Sequence, residues 1–265
     1  MAIYTKISLK HIRLIEKNYN LGKIIHFKGI KKGIENTNYL LKTKNKKFIL
    51  TLFEKRVHKK DLPFFMNLMD KLSKYKVNCP KPQKNKKGGF LIKIKNKIGN
   101  KSKIINPNLN TLMKTAFSQI KNKWPKSLPY GIIHADLFID NIFFKKSKFH
   151  GYIDFYFACN DFLMYEIAIC INALCFDKKN NKFIFNKRKS TNLIRGYSKI
   201  RKLSNKEKKS LNVLCRGAAL RYLLTRTYDY LNTPKSAVIK IKNPREYIQK
   251  LKVHNKFKNF KNYYN

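Results

Sequence analysis

The sequence predicts an α+β protein in two lobes: a small N-terminal antiparallel sheet with a helix, then a larger, mainly helical C-terminal lobe. Three observations carry that prediction. Residues 24–53 read as three short apolar segments, separated by a glycine-bearing turn and a KNK hairpin. The stretch DFLMYEIAICINALCF, residues 161–176, is apolar nearly all round, as a helix in the middle of a core must be. Between them, residues 78–106 break the periodicity with prolines, a KKGG turn and lysine-rich sequence, which sets the lobes at 1–105 and 106–265.

Each element has its own signal. Ile7, His11, Leu14 and Ile15 fall at helical spacing within 5–18, and strands follow over 24–30, 36–43 and 47–53. In DLPFFMNLMDKLSKY, residues 61–75, Leu62, Phe65, Met69 and Leu72 share one face, with Asp61 as N-cap and Pro63 in the first turn. FLIKIKNKI, residues 90–98, reads as a hairpin. After Pro107 a stripe of Leu109, Leu112, Met113, Ala116, Phe117 and Ile120 predicts a helix that Trp124-Pro125 ends. Strand-like segments at 131–135 and 151–157 come next, joined through Asn141 and a Lys-rich turn. KSLNVLCRGAALRYLLTRTYDYLNTP has a strong helical pattern closed by Asn232-Thr233-Pro234, and 250–265 reads as a last helix with a frayed end.

Composition narrows the class. The formal charge is +46, from 60 Lys and Arg against 14 Asp and Glu. A basic balance of that size attracts anionic partners. The lysines are nevertheless spread through almost every segment beside Asn, Ile, Phe and Tyr, as drift toward AT-rich codons produces. We therefore expect no dedicated nucleic-acid partner. The five cysteines, at 79, 159, 170, 175 and 215, form no C-x-x-C pair and sit among apolar neighbours, which predicts free thiols in a reducing compartment. With no leader-like apolar region and no apolar run of spanning length, a cytoplasmic protein with no membrane partner is expected.

The chemistry concentrates in GIIHADLFIDNIFFKKSKFHGYIDFYFA, which starts at Gly131. His134, Asp136, Asn141 and Asp154 are short polar side chains set in an apolar run at strand ends and the adjoining loop. A buried carboxylate without a partner costs several kcal/mol, so both aspartates need hydrogen bonds or a cation. Such a set suits phosphate chemistry. One carboxylate accepts a proton from an attacking hydroxyl, while an amide oxygen and a second carboxylate hold Mg²⁺, a cation that prefers hard oxygen ligands.

His134-Ala135-Asp136, Asn141 and Ile153-Asp154-Phe155 together resemble the signature of the aminoglycoside phosphotransferase and choline kinase group, relatives of the protein kinases. FKGIKKGIENTNYLL, FILTLFEKRV, DLPFF, IDFYFACND, AICINALCFD, RGAALRYLLTRTYDYLNTP and PREYIQKLKVH narrow the likeness to the bacterial homoserine kinases of that group, over most of the chain outside 84–125. The resemblance implies a protein-kinase-like fold and transfer of the ATP γ-phosphoryl group to L-homoserine. It makes Asp136 the base, His134 the brace of its loop, and Asn141 and Asp154 the Mg²⁺ ligands. Gly29, Gly33, Asn36 and Asn38 would face the nucleotide phosphates, and Thr51 occupies the slot where kinases usually carry a lysine, with Lys47 and Lys55 nearby. For the homoserine zwitterion, Arg226, Asp229 and Arg221 are the candidates, because a guanidinium fork matches a carboxylate; Tyr156 and Asn172 are weaker ones. Two departures stand out: Glu166 replaces the family's usual aspartate, and the connection after Lys97 is shorter than the family's. The alternatives are another alcohol acceptor, such as choline or an aminoglycoside, and a non-catalytic basic binding protein on the same fold.

Overall fold

The computed structural model describes residues 5–30, 36–53, 59–94, 107–232 and 242–265. They form two compact units, one from the described residues up to 94 and the other from 107–232 with 242–265.

In the first unit, β1 (Ile24–Gly29), β2 (Thr37–Thr43) and β3 (Lys47–Leu52) make an antiparallel sheet in that order. Alternation turns Tyr39 and Leu41 inward, where they meet Ile24 and, from α1 (Leu9–Asn18), Ile12 and Ile15. A ten-residue helix does not persist alone in water, so this apolar contact, at roughly 1.5–3 kcal/mol per buried side chain, is what holds it. The helix starts later than its periodicity predicts because residues 5–7 are tied to β2. Thr5 N donates to Thr37 Oγ1 and Ile7 N to the Tyr39 hydroxyl, both at 3.3 Å. Next, α2 (Leu62–Lys74) buries Leu62, Phe65, Met66 and Met69. The hairpin expected over 90–98 does not form in 91–94, and 95–98 lie outside the described residues. Side chains capture the carbonyls there instead: the Tyr19 hydroxyl donates to Phe90 O at 2.9 Å and Asn85 Nδ2 to Leu91 O at 3.2 Å.

The second unit is mainly helical. In order it holds α3 (Pro107–Lys123), β4 (Tyr130–Ile133), β5 (Ile142–Lys145), β6 (Lys148–Tyr152), β7 (Cys159–Phe162), α4 (Leu163–Leu174), β8 (Phe176–Lys179), β9 (Lys182–Phe185), α5 (Lys187–Ile200), α6 (Asn205–Asn232) and α7 (Arg245–Lys256). Met164, Ala168, Ile169 and Ile171 of α4 share one core with Leu211, Leu214, Ala218 and Leu223 of α6, all fully buried. The approach of neighbouring side chains to α6 is close. A Cβ at Gly217 would lie 2.3 Å from the Trp124 ring, so only glycine fits.

Two expectations change here. The strand-like segments at 131–135 and 151–157 are shorter than expected: β4 ends at Ile133 and pairs with β7, β6 ends at Tyr152 and pairs with β5, and 155–157 form a 3-10 turn. The strand stops because Asp154 adopts a left-handed conformation, φ 69°. The C-terminus is not frayed either. Asn259 caps a 3-10 turn over Phe260–Asn262, and Tyr263 is fully buried, its hydroxyl 2.9 Å from His254 Nδ1 and accepting from Asn212 Nδ2 at 3.1 Å. The five cysteines are free, and Cys170, Cys175 and Cys215 are buried. Among the described residues no helix is long and apolar enough to cross a membrane.

Burial holds His254 neutral, its pKa pushed down from 6.5 to about 3. The unfolded chain then binds the extra proton and the folded chain does not. This contribution to stability is therefore complete above about pH 6.5 and is lost as the pH falls toward 3. Urea midpoints of the wild type should drop across that window, and those of His254→Gln should drop less steeply. Equal slopes would remove His254 from the account.

Candidate active site

The site grows out of the end of β4. After Ile133 the chain passes through His134, Ala135 and Asp136, and Ala135 takes a left-handed φ of 60°. For a non-glycine residue that costs about 1–2 kcal/mol, so the surroundings must hold it. They do so from both sides of the backbone. Glu166 of α4 accepts from Ala135 N at 3.1 Å and, through the same Oε2, from His134 N. On the other side, Ala135 O accepts from Arg221 Nη1 at 2.7 Å and lies 3.0 Å from the Tyr222 hydroxyl, both on α6.

Burial lowers the pKa of His134, which favours the neutral ring. In that form Nε2–H donates to Ile153 O at 2.9 Å and Nδ1 accepts from Asp136 N at 3.3 Å. The ring also packs against Phe155, 4.7 Å between centroids. One side chain thereby ties the turn bearing Asp136 to the segment bearing Asp154.

Asn141 ends the 3-10 turn Ile139–Asn141 and is buried. Its Nδ2 donates to Asp136 O at 2.8 Å and Asp136 Oδ2 at 3.3 Å, which turns its amide oxygen the other way. Ile153 N donates to Asn141 O at 3.1 Å, one step beyond the β5–β6 ladder, which ties the backbone just before Asp154 to Asn141. An amide oxygen and a carboxylate are the kind of donors that suit a hard divalent cation that also takes phosphate oxygens. Among the described residues no three His, Cys, Asp or Glu side chains gather around a common metal position.

The pKa of Asp136 is pushed up by burial, against the opposing pull of Arg221, His134, the Tyr222 hydroxyl and Lys242. Glu166 is raised too, again by burial, and the two N–H groups it accepts from oppose the shift.

The remaining predicted residues fall in several places. Arg221 lies beneath the Asp136 turn, its guanidinium over the Phe157 and Tyr222 rings. Arg226 is buried, donates to Glu246 Oε2 at 2.5 Å and stacks 4.4 Å above Tyr247. Asp229 is half-buried farther along α6, and Tyr156 lies in the 3-10 turn after Asp154. Asn172 is a core residue, donating to Ala168 O and Cys215 O at 3.0 Å. In the first unit, Gly29 ends β1 opposite Tyr39 and Asn36 is buried. Thr51 Oγ1 donates to Asn38 Oδ1 at 2.7 Å, and Lys47 is exposed. Gly33 and Lys55 lie outside the described residues.

Two residues escaped the sequence reading. Tyr222 contacts Asp136 Oδ1 at 3.2 Å, and Glu246 is gripped by both Arg226 and Lys250, the latter at 2.6 Å. A tyrosine in an apolar helical stripe and an acid in the first turn of a basic helix carry no local mark of those contacts.

The family model for the phosphotransferase enzyme family matches residues 26–90 and 103–184. A homoserine kinase of Allorhizobium ampelinum is 38% identical over 311 aligned residues, covering 96% of each chain. This chain belongs to that phosphotransferase family, among its homoserine kinases. A second homoserine kinase, from Bradyrhizobium diazoefficiens, is 36% identical and covers 99% of this chain and 97% of its own. The aligned length exceeds the 265 residues present here, so the relatives carry residues this homoserine kinase relative lacks. The family match itself is interrupted between 90 and 103. The fold is that of the small-molecule kinases: an amicoumacin kinase structure superposes with a TM-score of 0.69 over 97% of both chains at 11% identity. It is α+β and protein-kinase-like, as the sequence predicts.

Removing the Glu166 carboxylate leaves two loop N–H groups without their acceptor, at about 1–3 kcal/mol for each buried group. Glu166→Ala is expected to lower both the melting temperature and turnover. Unchanged turnover in the folded variant would show that the Asp136 turn holds its shape without α4.

Proposed function

We infer that this ATP-dependent kinase phosphorylates L-homoserine to O-phospho-L-homoserine, a step of threonine synthesis, with Asp136 as its base. The observation that carries the site assignment is the half-buried Asp136 carboxylate, its two oxygens oriented from separate elements by Tyr222 and Asn141. Asp136 accepts the proton of the substrate hydroxyl as that oxygen bonds to the γ-phosphorus and the bond to the ADP leaving group breaks. His134 and Glu166 keep the turn in place, so the carboxylate does not have to be ordered during the reaction.

Asn141 and Asp154 fit Mg²⁺, which when bound neutralises charge on the phosphate oxygens. Gly29, Gly33, Asn36, Asn38 and Thr51 remain the proposed nucleotide contacts. The Asn38–Thr51 pair puts a neutral hydrogen-bonded couple where a lysine is usual, so phosphate contact there relies on hydroxyl, amide and backbone donors. For the amino acid, Arg226 is the proposed partner of the carboxylate, with Asp229 and Arg221 on the same helix. The lysines carry no proposed function beyond general attraction for anionic substrates.

Purified protein with Mg²⁺-ATP should release ADP with L-homoserine and not with choline or an aminoglycoside. Asp136→Asn should cut that rate by about 10²–10⁴ while leaving the fold intact. Full activity in this variant would sink the base assignment, and ADP release favouring another alcohol would sink the substrate. Arg226→Lys keeps the charge and loses the fork, so KM for homoserine should rise well beyond any change for ATP. Equal KM values would reduce Arg226 to a structural partner of Glu246.

A further inference from the structure

Tyr222 takes no part in the bond-making and bond-breaking described above, yet its hydroxyl reaches the proposed base. The ring is buried, 6% exposed, and fixed on several sides. Phe138 meets it edge-on at 5.0 Å, Tyr247 packs at 5.3 Å, and the Arg221 guanidinium lies 5.0 Å from its centre. A ring so enclosed cannot swing, so the position of its hydroxyl is set by the fold. That hydroxyl lies 3.2 Å from Asp136 Oδ1 and 3.0 Å from Ala135 O.

A phenol has one proton and cannot serve both acceptors at once. Ala135 O already has a charged donor, Arg221 Nη1 at 2.7 Å. Asp136 Oδ1 carries the negative charge, and hydrogen bonds to ionised acceptors are the stronger ones. The proton therefore goes to the carboxylate, while Arg221 satisfies the carbonyl. Asn141 Nδ2 supports the other oxygen, Oδ2, at 3.3 Å.

We propose that Tyr222 is a positioning residue for phosphoryl transfer: its hydroxyl locks the side-chain torsion of Asp136 so that the carboxylate meets the substrate hydroxyl in one orientation. The proposal rests on Asp136 being the base. It assigns Tyr222 no contact with homoserine or nucleotide, so its effect passes through Asp136 alone and falls on the chemical step.

A double-mutant cycle tests this. Tyr222→Phe keeps the ring and its packing and removes one hydroxyl. We expect kcat for homoserine phosphorylation to fall about ten- to a hundredfold, with KM for homoserine and for ATP within about twofold of wild type. Introduced into Asp136→Asn and read by single-turnover ADP formation, the same change should have no further effect, because the group it orients is gone. An equal fall in both backgrounds would overturn the proposal in favour of a general structural role, and so would a kcat left unchanged in Tyr222→Phe. A rise in KM for homoserine with constant kcat would make Tyr222 a substrate contact instead. Full activity in Asp136→Asn alone would refute the base assignment, an outcome distinct from any failure of Tyr222. Thermal melts of all three variants show whether each is folded when assayed.

Discussion

The candidate site depends on one constrained peptide, the link between His134 and Ala135. Its conformation is unfavourable for alanine, and it persists because a carboxylate from α4 takes the N–H groups while a guanidinium from α6 takes the carbonyl that follows. Each contact alone is worth about a kcal/mol or a little more. Together they exceed the cost of the strained turn, and they come from the two helices whose apolar faces form the main core. The core therefore acts as the jig that holds the Asp136 turn, and the burial energy of α4 and α6 is coupled to the geometry of Asp136.

Electrostatics reinforces this coupling. Taking Asp136 and Glu166 out of water favours their neutral forms, and nearby donors push back. Arg221 opposes the shift at both carboxylates, so one cation steadies two acids that burial alone would protonate. Farther along, Glu246 is held below the usual carboxylate range: burial raises it, but Lys250 and Arg226 together outweigh that penalty. Lys250 is itself lowered by burial, and it also donates to Asn172 O at 2.7 Å. Buried charges in this unit are thus accommodated by short-range networks and not by solvent.

Much of this was legible in the sequence, for identifiable reasons. The strands at 24–53, the helices beginning near Leu62 and Pro107, and the all-apolar α4 announce themselves through period and punctuation, which are local properties. His134, Asp136, Asn141 and Asp154 were legible because polar residues inside an apolar run demand an explanation. What the sequence concealed depended on distant contacts. The left-handed turn at Asp154 ended a strand that its apolar neighbours would have continued. Tyr263 is anchored by His254 and Asn212, so a tail rich in Lys and Asn folds back into the core. Tyr222 and Glu246 meet their partners across 86 and 20 residues of chain, and no periodicity records such a meeting.

α6 is the element in which these threads join. Arg221 and Tyr222 address the Asp136 turn, and one helical turn later Arg226 addresses Glu246. The spacing is rigid, since each residue of an α-helix advances the direction of its side chain by about 100°. Inserting or deleting one residue between Arg221 and Arg226 would swing one set of contacts away from its target whichever set stayed in place. Length variation should accordingly be purged from this part of α6, while the connection between 90 and 103, where the family match is interrupted, accommodates it. The chain can shorten between its units, but across those few residues of one helix it has to keep count.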